Sequence, residues 1–293
     1  LFSAMIVVFI LIFTDFGVPK VIGGNYNVLA TDIYKEVVGQ HNFEMGAVVS
    51  VVLLMPAVFA FLLDRIITRK QVAQLSTRAV PYIPKPNPTI DRVMFGFCAF
   101  ITLLTVAVLG MAQLAALVKF WPYNLSLSLE HYTFESQGAD WSHFFNSLKM
   151  AASVAAIGTG IVFAGAYLIE KPRRDPIARE VIQFLALLPM AVPGLVLGLA
   201  YLFFINHPAS PIGFLYGTIA VLVLNCLTHF YTVSHVTAMT ALKQMDREFE
   251  AVSASLKVPL VRSFWRVTVP VCLPAIFHIS IYLFLSTMTT VSG

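Results

Sequence analysis

Polar side chains within the apolar segments are the first candidates for chemistry, because a polar group buried in a membrane is costly and often functional. The segment that follows Ile212 carries six of them: Asn225, Thr228, His229, Tyr231, Ser234 and His235. His229 and His235 are six residues apart, and this spacing does not place two metal ligands on one helix face. The pattern predicts hydrogen bonds between helices and no metal site, and Asn225 is a candidate for lining a solute pathway.

A charged stretch near the C-terminal end indicates a mechanical role. It runs from Met245 to Pro270 between two long apolar segments, so it must lie in water at a membrane surface. Residues 248–257 contain neither Gly nor Pro and predict a short helix that Pro259 ends. A second short helical run follows, and Pro270 opens the next apolar segment. Another protein could push a short helix held along a membrane face and so move the attached spans.

The apolar segment 185–198 is irregular. Pro189 and Pro193 each remove a backbone donor, and Gly194 lets the chain bend closely against a neighbour. Gly194 and Gly198 form a Gly-x-x-x-Gly pair, which permits close helix contact. Two interpretations remain open at this point: a kinked packing helix, or a hinge that flanks a solute pathway.

The composition is that of an integral membrane protein. Of the 293 residues, 58% are hydrophobic and 12% are charged, and the mean hydropathy is +0.81, whereas soluble domains carry about 25% charged residues. Apolar windows of membrane-spanning length predict five complete spans and two partial ones, at 46–63, 93–118, 148–169, 184–205 and 212–235, and at 2–13 and 275–291. We therefore expect an all-α, polytopic transmembrane helical bundle.

The distribution of basic residues predicts the orientation in the membrane. The loops 64–92, 170–183 and 236–274 hold fifteen of the nineteen Lys and Arg residues. The positive-inside rule places these three loops in the cytoplasm. The same spread of cations over short loops argues against a nucleic-acid partner, since no basic face is formed.

The chain carries a spacer and a loose internal repeat. Residues 81–88 include four prolines and predict an extended spacer. Phe9 precedes Thr14 by five positions, as Phe284 precedes Thr289, at an offset of 275 residues. We expect a fragment of a two-unit chain: residues 1–69 as the C-terminal part of a first unit, 70–92 as a cytoplasmic linker, and 93–293 as a second unit truncated at its C-terminus. Chance similarity between two span ends is the alternative.

The charged stretch resembles the EAA loop of ABC-importer permeases. Glu250, Ala251 and Val252 fill the opening of the family pattern, whereas Leu256 stands where the family has Gly. The stretch from Leu256 to Pro270 is one residue longer than the pattern. The resemblance implies a coupling loop that faces a cytoplasmic ATPase, with these members: Glu250, Ala251, Val252, Leu256, Pro259, Arg262, Arg266 and Pro270.

The whole chain resembles the membrane subunit of binding-protein-dependent importers, with the MetI-like fold of type I ABC importers. The runs 117–129, 162–171, 228–235 and 254–259 resemble the 2-aminoethylphosphonate permease. This implies a permease of a bacterial inner membrane, neither an enzyme nor a cofactor protein. Cytoplasmic ATP-binding subunits, a periplasmic solute-binding protein and the lipid bilayer are its implied partners.

The implied cargo is 2-aminoethylphosphonate or a related phosphonate, and iron(III) is the alternative because iron permeases share the doubled layout. No Gly-x-x-x-x-Gly-Lys-Ser/Thr phosphate loop occurs in the sequence, so ATP hydrolysis would need a separate subunit. Three rivals fit less well. An ion-coupled carrier needs acids in the middle of spans, a seven-span receptor needs an extracellular N-terminus, and a membrane enzyme needs clustered His or carboxylates at a membrane face.

Overall fold

The computed structural model describes residues 2–69, 87–130, 141–171, 176–245 and 248–290. Helices make up most of these residues, which confirms the predicted all-α polytopic bundle. The part of the chain before residue 70 contains α1 (Phe2–Phe13), α2 (Gly17–Ile22), α3 (Leu29–Tyr34), a π-helix (Lys35–Gly39) and α4 (Phe43–Arg69).

The middle of the chain has two long helices and one small β-hairpin. Its elements are α5 (Pro88–Leu117), β1 (Val118–Phe120), β2 (Asn124–Leu127) and α6 (Trp141–Glu170). The two strands are antiparallel and pair Val118 with Leu127 and Phe120 with Asn124. The hairpin was not predicted from the sequence.

The last part of the chain alternates long helices with short, broken ones. Its first elements are α7 (Pro176–Leu187), a 3-10 helix (Leu188–Ala191), α8 (Gly194–Ile205), a 3-10 turn (Gly213–Leu215) and α9 (Ile219–Gln244). They are followed by α10 (Glu248–Ser255), α11 (Leu260–Ser263), a π-helix (Phe264–Thr268), α12 (Val269–Val271) and α13 (Leu273–Thr289).

Four helices in the described part of the chain are long and apolar enough to cross a membrane unaided: α4, α5, α6 and α9. Each overlaps a predicted window, although α9 begins seven residues after the start of the window 212–235 and ends nine residues beyond it. The predicted span 184–205 is not one continuous helix, since the chain bends by 109° between two helical arms at residues 177–191 and 194–205, within the segment 185–198 that the sequence marked as irregular. Pro189 and Pro193 explain the bend, because neither residue can donate the backbone hydrogen bond that an α-helix needs.

A second bend lies at the start of the last apolar segment. The chain bends by 78° between residues 260–271 and residues 273–289. The break falls at Cys272, between Pro270 and Pro274. The predicted window began at residue 275, whereas α13 begins at Leu273. Helix α13 starts there because Pro274 is tolerated in the first turn of a helix, where its missing N–H has no partner to lose.

The chain divides into two compact units. One comprises residues 1–71 and 146–293, and the other comprises residues 72–145. Within the second unit no described residue of α5 is buried. A lipid-spanning helix with exposed apolar side chains is normal, because hydrocarbon solvates them.

The larger unit has its main core where α6, α9 and α13 pack together. Gly158 of α6 lies at the centre of this packing: a Cβ added there would come within 2.8 Å of Leu227 and 3.0 Å of Leu283. Small residues allow such close approach between membrane helices. A separate cluster packs Ile10 of α1 and Phe61 of α4 around Ala191.

The predicted linker is only partly open to comparison. Residues 70–86 lie outside the described residues. Helix α5 begins at Pro88, where the Asn87 side chain accepts hydrogen bonds from the backbone N–H groups of Thr89 and Ile90. Asn before a helical Pro is a favourable helix start, so residues 88–92 are helical, and the linker itself stays a prediction. The proposed division into two permease units stays a prediction.

Candidate functional site

The charged stretch forms the helix and the proline break that its sequence predicts. Helix α10 runs from Glu248 to Ser255 and ends two residues earlier than predicted. Lys257 has a φ of 51°, in the left-handed region that ends helices. The Val258 N–H donates to the Ser253 carbonyl at 2.9 Å, and Pro259 then precedes α11. The chain therefore makes a tight elbow between two short helices.

Contacts hold this elbow together and fasten it to α6. The Ser263 hydroxyl donates to the Ser253 hydroxyl at 3.0 Å, which joins α11 to α10. The Tyr167 hydroxyl donates to the Leu260 carbonyl at 3.3 Å. The Phe264 ring lies 4.8 Å from the Tyr167 ring and 5.9 Å from the Phe163 ring, centroid to centroid. The elbow is therefore attached to the C-terminal half of α6.

Sequence reasoning missed this anchor. Phe163 and Tyr167 are four residues apart on α6, so they lie on one helix face. That spacing was the available signal, although it does not reveal a partner that is about a hundred residues away. The π-helix at Phe264–Thr268 was also not predicted; such bulges often occur at functional sites.

The outward side of the elbow is apolar with basic groups beside it, and we call it the elbow surface. Its exposed apolar members are Phe249, Val252, Leu256, Leu260, Val261 and Trp265. The predicted coupling residues Arg262 and Arg266 are exposed, as are Pro259 and Pro270. Glu250 and Ala251 lie on α10, but their side chains are outside the description. Leu256 is 70% exposed, and a cluster of exposed apolar groups at a water-facing bend is typical of a docking surface.

The bent segment α7–α8 is tied to α9 on both of its arms. The Thr232 hydroxyl donates to the Ala186 carbonyl at 3.0 Å, where α7 loses its regular bonding. The hydroxyls of Tyr201 and Thr228 share a hydrogen bond of 2.8 Å. Thr228 and Thr232 are one turn apart on α9, so this helix braces the bend at two successive positions.

The predicted hinge residues have different surroundings. Pro193 and Gly194 are buried at the bend, and Pro189 is partly buried. A Cβ at Gly198 would meet nothing within 4 Å, so the close contact expected of the Gly-x-x-x-Gly pair is not made there. Asn225 is 4% exposed, and its Oδ1 has no hydrogen-bond partner among the described residues.

A cleft of about 680 Å³ lies elsewhere in the larger unit. None of the five residues predicted for the pathway or hinge lines it. The cleft gathers polar groups from the turn after α1, from α2, from α9 and from the end of α13: Asp15, Lys20, His229, Ser286, Thr289 and Thr290. Among these, only His229 was a candidate site residue from sequence. The loose repeat had, however, singled out the segments that contain Thr14 and Thr289.

Several buried polar atoms of the bundle lack a hydrogen-bond partner in the described part of the chain. They lie on α6, α9 and α13: Thr159 Oγ1, Asn225 Oδ1, His229 Nδ1, Ser234 Oγ, both ring nitrogens of His235, and Thr287 Oγ1. No group of three or more His, Cys, Asp or Glu that could hold a metal ion occurs among the described residues. Of the six predicted polar residues, Thr228 makes a hydrogen bond to a neighbouring helix. Thr232, which was not predicted, makes a second one.

Known proteins match this chain over almost its full length. No family model matches. A proposed ferric transport system permease of Haemophilus influenzae is 25% identical over 99% of this chain and 46% of its own length. The ferric transport system permease of Actinobacillus pleuropneumoniae is 25% identical over 99% of the chain and 43% of its own length. An Fe(3+)-transport system permease of Haemophilus influenzae is 24% identical over 98% of this chain and 54% of its own length.

This chain is similar to ferric transport permeases. It spans about half the length of the curated relatives that it matches. All three relatives are named as permeases of ferric or Fe(3+) transport systems. They therefore support the permease resemblance and the iron(III) alternative, and they do not support the resemblance to a 2-aminoethylphosphonate permease.

Proposed function

We propose that this chain is part of the membrane permease of an ATP-driven ferric iron importer in a bacterial inner membrane. The main support is the similarity to three ferric transport permeases, which extends over 98–99% of the chain. The four membrane-length helices and the two bent pairs are consistent with a permease.

The elbow surface is the proposed docking site for a cytoplasmic ATP-binding subunit. Its exposed apolar side chains would be covered by the partner, and Arg262 and Arg266 would lie at the rim. The orientation predicted from basic loops places this surface in the cytoplasm, where ATP is available. A separate subunit is needed because the sequence has no phosphate-binding loop.

Movement of the elbow would be transmitted through named contacts. The Phe264 ring packs on Tyr167 and Phe163 of α6, and α6 packs on α9 and α13 through Gly158. Helix α9 in turn holds both arms of the α7–α8 bend. A periplasmic binding protein would deliver the iron to the outer face, where α1 and α13 end.

The test uses the complete permease with its ATP-binding subunits and binding protein in proteoliposomes. We expect ATP-dependent uptake of ⁵⁵Fe(III). Glu250→Arg is expected to reduce uptake at least about tenfold while ATP hydrolysis and membrane insertion persist, because the resemblance places Glu250 against the ATPase. Glu36→Arg, in an outer loop, is the matched control and should transport normally. Unchanged uptake by Glu250→Arg would remove this residue from the coupling.

Phe264→Ala tests the same linkage at its anchor. Loss of the ring contacts with α6 removes aromatic packing that contributes about 0.5–1.5 kcal/mol beyond burial. We expect ATP hydrolysis without proportionate iron uptake. Phe277→Ala, which removes an exposed ring of α13, is the control. Absence of ATP-dependent ⁵⁵Fe uptake by the wild type would overturn the proposed function itself.

A further inference from the structure

The cleft between the ends of α1 and α13 is lined by a mixed set of charged and neutral polar groups. What we infer about its ligand rests on the proposed function. The lining combines one carboxylate, Asp15, with one ammonium group, Lys20. The remaining polar groups are the neutral hydroxyls of Ser286, Thr289 and Thr290 and the imidazole ring of His229. The formal charge of the Asp15 and Lys20 pair is zero.

Local contacts position the polar groups at the rim. Asp15 Oδ2 accepts a hydrogen bond of 3.1 Å from the backbone N–H of Val18, at the start of α2. Lys20 Nζ lies 4.3 Å from the centroid of the Tyr34 ring, a cation–π contact that leaves the ammonium protons available to an anion. The Thr289 hydroxyl donates to the Leu285 carbonyl at 2.9 Å, so its oxygen retains acceptor capacity.

The cleft is much larger than a bare ion. Its volume is about 680 Å³, and one water occupies about 30 Å³ in the liquid, so the cleft has room for about twenty water-sized groups. A bare ferric ion would leave most of this space to solvent. An ion that keeps a shell of small ligands would fill it.

The charge of the lining leads to the same conclusion. A trivalent cation stripped of its ligands would need several anionic groups to replace them. One carboxylate is present, and the Lys20 ammonium would repel the ion. No set of three metal-ligating side chains is found among the described residues. Oxygen atoms of a bound chelator, by contrast, can accept hydrogen bonds from Lys20 and from the hydroxyls at the end of α13.

We propose that this cleft binds ferric iron as a complex with a small oxyanion chelator. Lys20 and the hydroxyl of Thr290 donate to the chelator's oxygens. Asp15 and Thr289 accept from its hydroxyl groups or from iron-bound water. The recognised surface is that of the chelator, and the protein supplies no bond to the metal. Hydroxycarboxylates and polyphosphates share this chemistry, so the experiment separates the two.

The experiment is equilibrium binding to the assembled, nucleotide-free transporter in lipid nanodiscs, without the binding protein. The probes are ⁵⁵Fe(III) with ¹⁴C-citrate, ⁵⁵Fe(III) with ³²P-pyrophosphate, and each chelator alone. We expect iron and one of the two chelators to be retained in a fixed ratio. Lys20→Gln should weaken this binding at least about tenfold, because a charge-assisted hydrogen bond is lost.

Lys35→Gln is the matched control, since Lys35 is an outer-loop lysine that does not line the cleft and pairs with Asp32 and Asn27. A second pair is Thr289→Val against Thr105→Val. Both threonines donate to the carbonyl four residues earlier, but Thr105 lies exposed on α5. Lys20→Gln and Thr289→Val should bind the iron chelate more weakly than the wild type. Lys35→Gln and Thr105→Val should bind it as the wild type does.

Two results would overturn the proposal: iron retained without either chelator, or equal binding by Lys20→Gln and Lys35→Gln. ATP-driven ⁵⁵Fe uptake by the same preparation separates this failure from failure of the proposed function. If the wild type takes up iron but Lys20→Gln binds the chelate as strongly as the wild type does, only the proposed chelate site is refuted. Wild-type transporter that shows no uptake refutes ferric import.

Discussion

Thr14 and Thr289 make the same hydrogen bond at the ends of two different helices. Each hydroxyl donates to the carbonyl four residues earlier, Thr14 to Ile10 and Thr289 to Leu285, and both distances are 2.9 Å. Asp15 and Thr290, the residues that follow them, line the same cleft. The loose repeat in the sequence thus corresponds to two chain segments of like local structure that converge on one place.

The two segments differ in charge, and this difference can be tested. Asp15 corresponds to Thr290 in the repeat, so one side of the cleft carries a carboxylate and the other a hydroxyl. We expect Thr290→Asp to weaken binding of an anionic iron chelate several-fold, because it adds a second negative charge to the lining. Asn25→Asp adds the same charge to the outer loop outside the cleft and should have no effect. Binding of ⁵⁵Fe(III)-chelate to nanodiscs measures both variants.

Gly158 and Gly160 provide a paired test of the packing between α6, α9 and α13. We expect Gly158→Leu to lower the free energy of unfolding by about 1–3 kcal/mol, the usual cost of overpacking. Even its Cβ would collide with Leu227 and Leu283. Gly160 is exposed on the same helix, and a Cβ there meets nothing within 4 Å, so Gly160→Leu should unfold like the wild type. Denaturation in mixed micelles would measure both, and equal stabilities would contradict the packing described for α6.

Thr232 is expected to hold the bend between α7 and α8. Thr232→Val removes the hydroxyl that donates to the Ala186 carbonyl. Hydrogen bonds between membrane helices contribute on average about 0.6 kcal/mol, so folding should survive. We expect faster amide hydrogen exchange over residues 186–192. Thr237→Val, which removes only a bond to the Val233 carbonyl within α9, should leave that exchange unchanged.

The sequence predicted the local features of this fold and missed contacts between distant residues. Hydropathy was sufficient for α4, α5, α6 and α9, since membrane-spanning length and apolar composition decide each helix by itself. Pro189, Pro193 and Pro259 revealed where helices end or bend, because proline acts on its own backbone. Thr228 and Thr232 of α9 hydrogen-bond to the two arms of the bend, and no local sequence pattern predicts these contacts.

The candidate sites also combine local features, which the sequence predicted, with contacts between distant residues, which it did not. The elbow was visible from Pro259 and from the charges between two apolar segments. Its anchor was not, because Tyr167 and Leu260 are 93 residues apart in sequence. The cleft was missed for a similar reason: Lys20 and Thr289 come from opposite ends of the chain, and only folding brings them together. Asn225, which was predicted for the pathway, is buried in α9, and its pathway role stays a prediction.

The predicted orientation in the membrane can be tested with Leu256→Cys and Leu127→Cys in a variant whose three native cysteines are replaced. Both leucines are at least 70% exposed, one on the elbow surface and one on the β-hairpin. Because the basic loops place the elbow in the cytoplasm, we expect a membrane-impermeant maleimide to label Leu127→Cys in intact cells. Leu256→Cys should react only in inverted membrane vesicles. Labelling of Leu256→Cys from outside would place the elbow surface beyond the reach of any ATP-binding subunit, and the coupling route through Phe264 and α6 would then be ruled out.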